Sequence, residues 1–89
     1  MEVKKGNNQF YIGESESSAL ARMEYIEKDD KFIITETKVS DELGGKGAGK
    51  ILLKELVDWA RTQGKKITPE CPFAKSQMEK NEEYHDMIN

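Results

Sequence analysis

The residues best suited to chemistry lie in one stretch, Leu-Gly-Gly-Lys-Gly-Ala-Gly-Lys-Ile-Leu at positions 43–52. Glycines that run into a helix let a ligand approach the backbone closely. The helix start itself presents unpaired N–H groups and a partial positive charge. Together these features bind anions, phosphates above all. Gly44 to Lys50 spells the P-loop spacing: Gly, four residues, then Gly-Lys. The next residue is Ile51, where a P-loop needs a Ser or Thr hydroxyl to hold magnesium. A nucleoside triphosphate with its metal is therefore a poor match, and no metal ligand set is expected. The dinucleotide fingerprint Gly-x-Gly-x-x-Gly fails too, because from Gly45 it meets Lys50 where Gly or Ala should stand. The plain alternative is a flexible strand-to-helix turn.

The elements around this stretch read from their periodicity. Phe10 and Ile12 share one face of a short strand over 9–14, with Tyr11 on the other. In residues 19–27 Ala19, Ala21, Met23 and Tyr25 share a face, and Leu20, Arg22, Glu24 and Ile26 share the opposite one. Asp29 and Asp30 suit a turn. Phe32 to Val39 is β-branched and aromatic, so a strand. Residues 1–8 are polar, with a turn at Gly6 to Asn8. Tight connections then predict an antiparallel meander of three strands. From Ala48 the period changes. Ala48, Leu52, Leu56 and Ala60 repeat at i+4, with Lys50, Lys54, Asp58 and Arg61 opposite, and Gly64 ends the helix. Lys65 to Cys71 reads as a short strand ending near Pro69, parallel to the strand before the helix. The tail from Phe73 has Met78, Tyr84 and Met87 as anchors for a second, weakly signalled helix. The order is β-β-β-α-β-α, an α/β (α+β) domain spanning 1–89.

Composition bounds the partners. With 89 residues the chain is one domain, burying roughly 60–65% of its unfolded surface. A net charge of −3 argues against nucleic acid as the main partner, although Lys46, Lys50 and Lys54 cluster at the glycines. The bland reading of those lysines is a solvated helix face. The single cysteine, Cys71, forms no intramolecular disulfide, which fits a reducing compartment. No apolar run approaches the roughly 18 residues of a transmembrane helix, and no signal peptide is evident. A cytoplasmic protein with no membrane partner is expected.

The stretch Val-Ser-Asp-Glu-Leu-Gly-Gly-Lys-Gly-Ala-Gly-Lys-Ile-Leu-Leu-Lys-Glu-Leu, from Val39 to Leu56, resembles the acyl-CoA motif of the GNAT superfamily of N-acetyltransferases. In that motif Arg/Gln-x-x-Gly-x-Gly/Ala opens a helix. Gly47 and Gly49 match the small positions, and Gly44 stands where Arg or Gln is expected. Pro69, Cys71, Pro72 and Phe73 are similar to the Pro-x-Cys-Pro-Phe segment of a short, stand-alone GNAT-like family. Several of its members carry His where this chain has Asn81. The resemblance covers about residues 32–84. It implies a minimal GNAT-like fold and acetyl-CoA as cofactor, with pyrophosphate on Gly44, Gly45, Lys46, Gly47, Ala48, Gly49 and Lys50. Pantetheine would pair with the main chain of Thr37, Lys38 and Val39, in a gap between the strands flanking the first helix.

The implied reaction is attack of a primary amine, on a small molecule or a protein lysine, on the thioester. It needs a base, an oxyanion donor and an acid. Tyr84 is a candidate acid or a hydrophobic anchor, and Glu70 a candidate base or a solvated carboxylate. Cys71 is a covalent nucleophile or a wall of the pocket. His85 reads as solvated. The rival to an enzyme is an acyl-CoA-binding module without turnover.

Overall fold

A computed structural model describes residues 1–89. Five strands form one sheet in sequence order: β1 (Lys4–Gly6), β2 (Gln9–Gly13), β3 (Ala19–Lys28), β4 (Lys31–Val39) and β5 (Lys66–Pro69). The first four are antiparallel neighbours, and β4 and β5 are parallel. Helix α1 (Ala48–Gln63) crosses between β4 and β5, and α2 (Pro72–Lys80) follows β5. A 3-10 turn over Glu82–Met87 ends the chain against β5, where Ile88 bridges Ile67.

The expected meander and the parallel pair are both present, with one strand more than the pattern suggested. Lys4-Lys5-Gly6 pairs with β2 across a two-residue turn at Asn7 and Asn8. Its polar sequence hides it. The strand is held by pairing with β2 and by Lys5 Nζ, which lies 4.9 Å from the Trp59 ring centroid on α1. The β3–β4 hairpin turns at Asp29 and Asp30, both at positive φ (53° and 63°), as a turn matching the strands' right-handed twist requires.

One face of the sheet carries the core. Phe10, Ile12, Ala21, Met23, Tyr25, Phe32, Ile34 and Ile67 pack there against α1. Helix α1 buries Ala48, Leu52, Leu56 and Ala60 as its i+4 pattern requires, and Leu53 and Val57 as well. The extra buried flank lies toward the tail, whose Tyr84 and Met87 join the same core. Arg61 fastens that tail through two bonds to Asp86 (2.6 and 3.1 Å) and one to the Glu83 carbonyl (2.7 Å).

Candidate functional site

The site begins where two strands part. Parallel pairing of β4 with β5 runs from Lys31–Lys66 to Ile34–Pro69 and stops. The N–H groups of Glu70 and Cys71 both donate to the Ile34 carbonyl (3.0 and 3.1 Å), and the chain then turns into α2 at Pro72. Strand β4 runs on to Val39, paired only with β3. A register shift between Glu24 and Tyr25 leaves Thr35 as the extra residue on β4, just at the parting point. Such a bulge bends and twists its strand, here away from β5.

Beyond the bulge, β4 has a free edge. The Ser40 N–H donates to the Leu20 carbonyl on β3 (2.8 Å). Strand alternation then sends the main-chain groups of Lys38 toward β3 and those of Thr37 and Val39 toward the gap. The gap is bridged at its base by one weak bond, Cys71 Sγ–H to Thr37 Oγ1 at 3.3 Å. Cys71 is 5% exposed and belongs to the core, so its thiol lies behind Thr37 and outside the cleft lining.

The glycine stretch forms the other wall. Asp41–Leu43 makes a 3-10 turn, and Gly44 and Lys46 donate back to the carbonyls of Asp41 and Leu43 (3.1 and 3.2 Å). Gly45 and Gly47 take positive φ (76° and 77°), a left-handed conformation that turns the chain into α1 without a Cβ penalty. Ile51 makes the first helical bond, to the Gly47 carbonyl (3.1 Å). The N–H groups of Gly45, Gly47, Ala48, Gly49 and Lys50 have no acceptor within the chain. No acidic residue lies in the first turn of α1 to offset its positive end.

These walls enclose a cleft of about 420 Å³ lined by Thr37, Val39, Ser40, the loop from Asp41, the start of α1 and Phe73. Ser40 Oγ is enclosed and has no hydrogen-bond partner. Gly49 lies against the Phe73 ring so closely that a Cβ there would fall 2.7 Å from Cζ. The cleft thus offers clustered N–H donors at one end and an unpaired strand edge along its length, with the buried Cys71 thiol behind Thr37. That combination suits a phosphate attached to an extended, amide-containing arm.

Most residues expected from sequence meet in this cleft: Thr37, Val39, Gly44, Gly45, Gly47, Ala48, Gly49 and Lys50 line it. Lys38 does not. Its side chain points to the other sheet face, 3.7 Å from Glu36. Lys46 is outside the lining, with its N–H spent on Leu43. Glu70 is exposed beside Cys71. Tyr84 lines a different groove, between α1 and α2, where burial holds its hydroxyl above the usual tyrosine range. His85 is exposed and hydrogen-bonded through Nε2 to the Glu79 carbonyl (2.8 Å). Ser40 and Phe73 escaped attention as cleft residues. Phe73 carried a signal in its Pro-x-Cys-Pro-Phe segment, whereas Ser40 carried none.

Comparison with known proteins agrees with this geometry. Residues 9–87 match the family described as GCN5-related N-acetyl-transferase. Among solved structures, a GCN5-like candidate N-acetyltransferase from Staphylococcus aureus, determined by NMR in solution, is 46% identical. The match covers 99% of this chain and 87% of that one, with a TM-score of 0.83. No curated protein matches the sequence. The chain belongs to the family of GCN5-related N-acetyltransferases.

Proposed function

We propose that the cleft binds acetyl-CoA and that the chain transfers its acetyl group to a primary amine. The observation that carries this reading is the set of acceptor-less N–H groups from Gly45 and Gly47 to Lys50, set beside the free edge of β4. The N–H cluster would hold the pyrophosphate, with Lys50 adding charge. Ile51 needs no hydroxyl, because this ligand brings no metal. Gly44 offers no side chain to the phosphates, so the backbone carries that contact. The main chain of Thr37 and Val39 would pair with the pantetheine amides as a neighbouring strand would. The substrate supplies an activated acyl group as its thioester. The amine nitrogen forms the new C–N bond, the C–S bond breaks, and the proton leaving nitrogen balances the one the thiolate takes up.

Two roles remain for Cys71. As a nucleophile, Sγ would take the acetyl group and pass it to the amine. As a pocket wall, its bond to Thr37 would only fix the base of the cleft. Glu70 lies next to it and is exposed, the placement of a base acting through water. The position of Tyr84 in another groove favours its role as an anchor of the tail.

A second reading, acyl-CoA binding without turnover, is favoured by one observation. Apart from Asp41 near the glycines, no side chain that lines the cleft can act as a base at neutral pH. One assay separates the readings: acetyl-CoA with a panel of primary amines, with free thiol and acetylated product measured, followed by mass spectrometry of the protein. Transfer establishes the enzyme, and an acetyl group on Cys71 establishes the covalent route. Unmodified Cys71 together with an active Cys71→Ala variant removes that route. Saturable binding with no product on any amine leaves the binding module.

A further inference from the structure

The sheet face away from the helices carries positive charge that the chain leaves largely unneutralised. Strand register sets Lys4, Tyr11, Arg22 and Lys38 side by side across β1 to β4. Three of these four are cations, in a chain whose net charge is −3. Arg22 and Lys38 are direct cross-strand partners, a like-charge pair that costs stability. Arg22 is half-buried, yet its guanidinium bonds the Glu16 carbonyl (3.0 Å) and pairs with no carboxylate. Lys4 also bonds a carbonyl, that of Glu14 (3.5 Å). Lys38 has one acidic neighbour, Glu36 at 3.7 Å, in an exposed pair that contributes little. Arg22 and Lys38 line a concavity of about 400 Å³ together with Leu20, Val39 and Ser40. Val39 and Ser40 line the cleft as well, so the two openings meet at the end of β4. The Ser40 hydroxyl, enclosed and without a partner, stands at that meeting point with a proton to donate.

We infer that Arg22, Lys38 and Ser40 hold an anionic group, a carboxylate or phosphate, carried by the acceptor amine. The inference rests on the reading of the cleft as an acetyl-CoA site. The helices and the tail pack on the core face of the sheet, so an acceptor reaches the gap between β4 and β5 from the other face. Lys38 stands on the strand that bounds the gap, and Arg22 one strand further away. With strands about 4.8 Å apart, an anion there lies roughly 5–10 Å from the gap. A planar guanidinium grips a carboxylate or phosphate through two parallel bonds, and an ammonium adds charge. The next row on this face is acidic, Glu24 opposite Glu36, and suits the ammonium form of the arriving amine. The acceptor class is therefore a small amine with an acidic group at its other end. A polyamine has nothing to offer the cations.

The test uses protein saturated with CoA and two matched pairs of amines that differ by the anion: phosphoethanolamine with ethanolamine, and γ-aminobutyrate with butylamine. An NMR titration follows the Arg22 Nε–H signal and the amides of Leu20 and Arg22. Within a pair the anion should tighten binding about tenfold, the effect of one charge-assisted contact. Arg22→Gln should lose most of that difference. Lys38→Gln, at an exposed position that folding does not depend on, should lose much of it too. Equal affinity within both pairs, or a preference that survives both substitutions, would overturn this inference and leave the reading of the cleft intact. So would an Arg22 Nε–H signal that CoA alone shifts and the anionic amines move no further, because the site would then belong to the cofactor. No binding of CoA at all would overturn the reading of the cleft and this inference with it.

Discussion

Gly49 shows how a single residue ties fold to site. Its Cα leaves room for the Phe73 ring, and a Cβ would lie 2.7 and 2.8 Å from two ring carbons. Gly49→Ala should therefore destabilise the fold by about 1–3 kcal/mol, the usual cost of overpacking. Thermal or denaturant unfolding measures this. Truncating the ring should relieve the clash, so Gly49→Ala combined with Phe73→Leu should cost less than the sum of the two single changes. Strict additivity would mean that the two residues do not press on one another. The neighbouring Gly47 needs glycine for a different reason: positive φ with nothing within 4 Å. Gly47→Asn should thus cost less than Gly47→Val, because asparagine tolerates the left-handed region and a β-branched residue does not. Much of this was legible in the sequence, since the glycine spacing announces backbone freedom at the start of the helix. What was not legible was which lysine lines the cleft. Lys46 and Lys50 are equivalent in pattern, and the structure separates them: Lys50 lines the cleft, while Lys46 lies outside it with its N–H bonded to Leu43.

At the scale of elements, the sequence pattern reports burial rather than pairing. The amphipathic period of α1 and the alternation of β3 were plain because one face of each is apolar. Strand β1 has no apolar face and exists because β2 and Trp59 hold it. The parting of β4 from β5 was expected only from the resemblance, and nothing in the residue types around Thr35 announces a bulge. The tail gave a weak helical signal because much of it is fixed by contacts with α1, notably the Arg61–Asp86 pair, rather than by its own propensity. The Arg61 guanidinium holds the Asp86 carboxyl below its ordinary value of 3.8. A carboxyl lowered in the folded state contributes stability above its unfolded value and loses it as pH falls through the folded one. The stability difference between wild type and Asp86→Asn should therefore be present at pH 7 and be lost in acid, as pH falls through the lowered folded-state value. It should be modest throughout, because both partners are well exposed. A difference that persists or grows in acid would show that Asp86 acts other than through its charge.

Across the whole molecule, an 89-residue chain places a helix start and a free strand edge around one opening, with a buried thiol bonded to Thr37 behind it. No helix is long and apolar enough to cross a membrane. The core is built so that the sheet, α1 and the tail share one set of buried side chains, with the cleft at the margin where β5 ends. Ligand binding should therefore stabilise the fold as a unit, and the melting temperature should rise with acetyl-CoA concentration. The most direct measurement is an amide chemical-shift titration of the protein with acetyl-CoA. The account predicts saturable shifts, largest at Thr37, Val39, Gly45 and Gly47 to Lys50, with Cys71 moving as the thioester reaches the base of the cleft. Shifts that leave these residues still, while moving others, would contradict it.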